Sequence, residues 1–156
     1  MKTTILVLFL TTLFVINGCM QLTLRPADFS WPVEVVVKPD SAGVVQHTRY
    51  QVAFNVKALL YAELNDSMKC SQYSIHMIRD VKGYYFIVAK DFKHVYVFAQ
   101  KENALVLEQK IYIAETGLVA PAFNQKPPFI QLVNEANENE APIVLTESGI
   151  EKGTSK

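Results

Sequence analysis

The chain has 156 residues, half of them hydrophobic, and 15 basic side chains balance 15 acidic ones. That length suits one domain able to bury a core of its own. The neutral balance argues against nucleic acid as a partner, and no polybasic run adds a membrane-surface signal.

The first segment reads as a leader rather than a fold element. Lys2 is the only charge before Cys19, Ile5 to Ile16 is apolar except for Thr11 and Thr12, and Gly18 directly precedes the cysteine. A basic start, a short apolar run and a small residue at the cut describe a secretory signal. The run falls short of the roughly 20 apolar residues that span a bilayer. Its ending, Ile16-Asn17-Gly18-Cys19, resembles the lipobox of bacterial lipoproteins, with an aliphatic residue three before the cysteine and Gly or Ala just before it. The resemblance covers the leader alone. It implies that residues 1–18 are removed and that Cys19 is lipidated on sulfur, becomes the first mature residue and holds the chain to the lipid bilayer. In enteric bacteria an Asp after the lipidated cysteine retains such a protein in the inner membrane. Met20 stands there, which implies the periplasmic face of the outer membrane if the cell is Gram-negative.

The mature part divides into a short tether over 19–30, a β-domain over 31–133 and a disordered, acidic and Asn-rich tail over 134–156. Pro26 keeps the tether out of a central strand, because proline has no amide hydrogen to give. Val33 to Lys38 is β-branched and reads as a strand ended by Pro39-Asp40, with a turn at Ser41-Ala42-Gly43. From Tyr50 to Leu64 every even position is apolar, the period of a half-buried strand. A strand is expected through at least Lys57; for 56–64 a short helix is the alternative, since Lys, Ala, Leu and Glu favour one.

Residues 73–114 read as an antiparallel meander of four strands, Tyr73 to Arg79, Tyr84 to Lys90, His94 to Gln100 and Ala104 to Ala114. Their polar connections are too short for crossover helices. If Asp80 opposes Gly83, His76 faces Ile87 and Ile78 faces Tyr85. If Lys90 opposes Lys93, Ile87 faces Tyr96 and Tyr85 faces Phe98. Both faces of this sheet are apolar, whereas an antiparallel sheet open to water alternates apolar with polar. Something must cover each face. The candidates are Val33 to Lys38 with Tyr50 to Leu64 on one side, and Gly117 to Val133 on the other. Pro121, Pro127 and Pro128 among Phe123, Phe129 and Ile130 suggest an extended segment against the sheet, and Ile143-Val144-Leu145 could add one short pairing in the tail. The fold class is therefore mainly β, an antiparallel meander in a small sandwich or barrel-like domain.

The search for chemistry returns no catalytic constellation, metal set or cofactor motif. There is no HExxH, CxxC, D-x-D-x-D-G loop or G-x-S-x-G. The register above puts His76 and His94 on one face about 10 Å or more apart, too far to share a zinc ion. With Cys19 given to lipid, Cys70 has no partner for an internal disulfide and reads as a buried hydrophobe. Turn acids such as Asp66, Asp80, Asp91 and Glu102 suit local backbone hydrogen bonds. Tyr84, Tyr85, Phe86, Phe92, Tyr96 and Phe98 read as cross-strand core pairs. The expected function is a non-enzymatic, membrane-anchored domain that binds an envelope protein or component, with no ligand-binding residue assigned. A small-ligand binding β-domain and an envelope hydrolase are the alternatives.

Overall fold

Valine, isoleucine and aromatic runs between Ile75 and Tyr112 build the centre of the molecule. The computed structural model describes residues 33–102, 104–137 and 139–151; the expected leader, the tether and Cys19 lie outside the described residues. In chain order come β1 (Val35–Val37), β2 (Val44–His47), β3 (Val52–Asn55), the helix α1 (Lys57–Leu64), β4 (Ile75–Arg79), β5 (Tyr85–Ala89), β6 (His94–Lys101) and β7 (Ala104–Tyr112). Four more follow: β8 (Pro121–Lys126), β9 (Phe129–Asn134), β10 (Ile143–Thr146) and β11 (Gly149–Ile150). One five-stranded sheet has the order β1-β4-β5-β6-β7, a second has β11-β10-β9-β8, and β2 and β3 form a hairpin apart. The result is a mainly β, antiparallel, sandwich-like domain with one α-helix among the described residues.

All five residues of β5 are buried, as a central strand covered on both faces must be. The face carrying Met77, Tyr85, Ile87, Tyr96 and Phe98 lies under the β2–β3 hairpin and α1. Tyr50 meets Tyr85 edge-on at 5.8 Å, and Glu63 of α1 bonds to Tyr96. The opposite face, with Ile78, Phe86, Val88, Val95 and Val97, belongs to one core with Phe123, Ile130, Leu132 and Leu145 of the second sheet. Lys82 of the β4–β5 turn pairs with Glu147 of the β10–β11 turn, which ties the two sheets at one end.

Several expectations need correction. Residues 35–37 do not cover a face; β1 extends the central sheet by pairing with β4, Val36 opposite His76. The strand expected through Lys57 stops at Asn55, whose side-chain Oδ1 accepts the Lys57 amide at 2.9 Å in an Asx turn that leads into the helix. β2 was not anticipated. Tyr85 faces Phe98 and Ile87 faces Tyr96 as expected. The β4–β5 register differs by one residue: Ile87 faces Met77, and Ile78 faces Phe86.

The cause of that shift is the turn. Asp80 pairs with Tyr84 rather than Gly83, which leaves a three-residue loop with Gly83 at φ 95°, where a side chain is disfavoured. Asp80 Oδ1 accepts the amides of Lys82 and Tyr84 at 2.9 and 2.8 Å and fixes this loop. Because side chains alternate, the slip moves every β4 residue to the other face.

The β-domain also runs past the expected boundary at Val133. β10 pairs with β9, and β11 with β10. Ile143-Val144-Leu145 does form the short pairing, but it is a core element: Leu145 is 0% exposed. Gly117 lies so close to the β5–β6 turn that a Cβ would sit 2.4 Å from Asp91 O, which locks the connection into the second sheet. Leu145→Ala should cost about 2–5 kcal/mol in urea denaturation of the full chain, as a truncated core leucine does. A change within about 0.5 kcal/mol would put the tail outside the core.

Candidate functional site

The most concentrated polar cluster forms where α1 lies on the central sheet. Leu60 and the side chain of Glu63 point inward, and the Glu63 side chain is only 1% exposed. A carboxylate that deep must be matched by donors. Four converge on it. Its Oε1 takes the Tyr96 hydroxyl at 2.6 Å, His94 Nδ1 at 2.9 Å and Lys110 Nζ at 3.3 Å, and its Oε2 takes the Lys93 amide at 2.8 Å. An ionised carboxylate only accepts, so the His94 proton sits on Nδ1.

Neighbouring strands supply these donors because β6 and β7 pair His94 with Tyr112 and Tyr96 with Lys110 on this face. His94 also stands edge-on to Tyr112 at 5.5 Å, and Lys110 Nζ lies 5.3 Å from the Tyr96 ring centre.

The electrostatics define what the cluster can do. Burial pushes the Glu63 carboxyl up, but the bonds from Tyr96 and the Lys93 amide, the charge of His94 and the Lys110 bond outweigh it and leave the group below its ordinary value. Tyr96 moves the other way: burial, then the bond to Glu63 and its negative charge, hold its proton well above the usual phenol range. A general base works best when its pKa is near the operating pH. Here the carboxylate is made a weaker base and the phenol a weaker acid. The arrangement fixes charge and pins the last turn of α1 to β6 and β7.

A second carboxylate joins the two sheets at the opposite edge. Glu34 Oε1 accepts the Phe123 amide of β8 at 2.7 Å and lies 3.0 Å from His76 Nδ1 of β4. A recess of about 410 Å³ opens beside it, lined in part by His76, Lys90, Asp91 and Glu135. His76 and His94 therefore stand on opposite faces of the sheet, contrary to the expected shared face, as the register slip at Asp80 requires. His47 stands apart in β2, 5.4 Å from the Tyr50 ring.

Cys70 is 1% exposed beneath the Asp40–Ser41 turn, its Sγ 3.5 Å from Asp40 O. Tyr85, Phe86, Phe92 and Tyr96 are core residues. Lys82 of the β4–β5 turn and Lys101 at the end of β6 pair with Glu147 and Glu108. Among the described residues no group of three or more His, Cys, Asp or Glu could hold a metal ion. Cys19, the one site residue singled out in the sequence, lies outside the described residues.

Glu63 and Glu34 escaped the sequence reading. The period-two pattern put Glu63 on the polar side of a strand. In a helix the same residue falls on the stripe of Val56 and Leu60, three positions after Leu60, and an acid on that stripe was the available signal.

No family model, curated protein or solved structure matches the chain.

Glu63→Gln should lower stability by about 1–3 kcal/mol near neutral pH, because three side-chain donors lose their charged acceptor. The folded-state carboxyl lies below its ordinary 4.5, so its contribution is complete above that pH and fades as pH falls through the folded value. The gap between wild type and variant in urea melts should therefore narrow from about pH 7 to about pH 3. An equal gap at both would contradict the charge-fixing role.

Proposed function

We propose that the chain is a bacterial lipoprotein, tethered to the membrane through acylated Cys19, whose β-domain binds an envelope protein or component without catalysing a reaction. The observation that carries the proposal is the run Ile16-Asn17-Gly18-Cys19 behind a leader charged only at Lys2. The lipid on the Cys19 sulfur would be the anchor. Among the described residues no helix is long and apolar enough to cross a membrane. A sandwich-like domain with both sheets tied by Lys82–Glu147 and Glu34 offers a rigid body for docking, the default for pre-organised partners.

The meeting of Glu63 with His94 is the observation that favours the hydrolase alternative, since those residue types serve acid–base chemistry. The depressed carboxyl and its four donors weigh against it. The small-ligand alternative draws support from the surface recesses rather than from the space between the sheets, where Phe86, Val88, Val95 and Val97 are 0% exposed.

Expression of the full chain in a bacterial host fed labelled palmitate tests the anchor. Wild type should take up label and sediment with membranes, and Cys19→Ala should lose both. Label on the variant would refute the lipoprotein reading.

A further inference from the structure

One end of the central sheet carries two arginines that no carboxylate holds among the described residues. Arg79 closes β4, and Arg49 lies in the connection between β2 and β3. Both line a recess of about 470 Å³ together with Thr48, Gln51, Tyr85 and Gln100. Among the described residues neither arginine forms an ion pair. Lys82, beside an adjoining recess that Arg79 also lines, is held by Glu147. Glu102 lines that adjoining recess and does not pair with Arg79.

The Arg79 guanidinium is set rather than loose. Its Cζ lies 5.5 Å from the Tyr85 ring centre, and the Tyr85 hydroxyl donates to Gln100 Oε1 at 3.3 Å. Gly83 leaves room on the other side: a Cβ there would come within 3.2 Å of Arg79 Nη2. Yet Arg79 Nε is buried and has no hydrogen-bond partner among the described residues. Buried donors are normally satisfied, and one of a charged group is the most expensive to leave open. A planar guanidinium held over an aromatic ring and beside a recess suits bidentate capture of an oxyanion.

We propose that the Arg49–Arg79 recess binds a small ligand through one carboxylate or phosphate group. Arg79 supplies the oriented donors, and Arg49 adds a second positive charge at the mouth. The recess falls in the usual range for small-molecule sites and exceeds a bare anion. The rest of the ligand therefore lies over Thr48, Gln51 and Gln100, which offer hydroxyl and amide groups. The site stands whether or not Cys19 is acylated, because it is built wholly from the domain.

The test follows the Arg79 Nε–Hε resonance and the Gln51 and Gln100 side-chain amides of the ¹⁵N-labelled full chain during titration with sodium acetate or sodium phosphate. Sodium chloride at matched ionic strength is the control. The expected result is a saturable shift with a dissociation constant on the order of millimolar for at least one anion, and none with chloride. Saturation by acetate alone assigns a carboxylate ligand, and saturation by phosphate alone a phosphorylated one. Arg79→Gln should weaken binding, read on the Gln amides, by about tenfold or more. Arg49→Gln, an exposed loop change that leaves the core intact, should weaken it by about threefold. No saturable shift with either anion, or an unchanged affinity in Arg49→Gln, would overturn the proposal.

Discussion

The structure depends on a central sheet that is apolar on both sides. Every residue of β5 is buried, and its neighbours Met77, Ile78, Val95 and Val97 are fully enclosed from one face or the other. Such a sheet cannot exist in water alone. It needs two covers, and the rest of the chain supplies them: the β2–β3 hairpin with α1 above, and the sheet β8 to β11 below. Burial of apolar area at about 25 cal/mol per Å² makes both covers stabilising, but hydrophobic contact is not directional.

Direction comes from two acids. Glu63 fastens the helical cover to β6 and β7 through four donors, and Glu34 bonds the Phe123 amide of β8 while touching His76 of β4. Each carboxylate sits where two layers meet, and each has a histidine among its partners. A buried ionic group is weak evidence for added stability, because desolvation offsets the attraction. Its contribution here is positional. The donors around Glu63 lower its carboxyl, and burial together with the Glu63 bond raises the Tyr96 phenol, so this acid and this phenol each keep one charge state near neutral pH. The buried side-chain nitrogens without a partner among the described residues lie elsewhere, at His47 Nδ1 and Arg79 Nε.

The sheet was readable in the sequence because its signal is repeated in every strand. The Lys90–Lys93 turn set the β5–β6 register correctly, and apolar residues on both faces announced the two covers. The β4–β5 register failed over one residue. The connection Asp80-Val81-Lys82-Gly83 fits a two-residue or a three-residue loop, and the left-handed Gly83 decides between them. That slip reversed His76. Period-two spacing from Tyr50 to Leu64 left strand and helix both open over 56–64, because alternation over so short a run also satisfies a helix that buries only Leu60, and the helix alternative is the one that forms. Glu63 was missed because the strand pattern put it on the polar side. The polar stretch from Asn134 to Glu140 disguised the return of the chain as β10, whose Leu145 completes the core. The proposal at Cys19 rests on different ground: a processing motif is sought in local sequence and needs no fold.

The functional reading thus joins a sequence-borne anchor to a domain whose interior is structural and whose open chemistry is on its surface. That division holds only if the central sheet is sealed on both faces. Native-state hydrogen exchange of the β5 amides, Tyr85 to Ala89, measures the seal directly. They should exchange only through global unfolding, with protection equal to the full unfolding free energy from denaturation and well above that of β11. Exchange of Phe86 or Val88 as fast as that of Ile150 would show an open face, and the doubly covered sheet would be wrong.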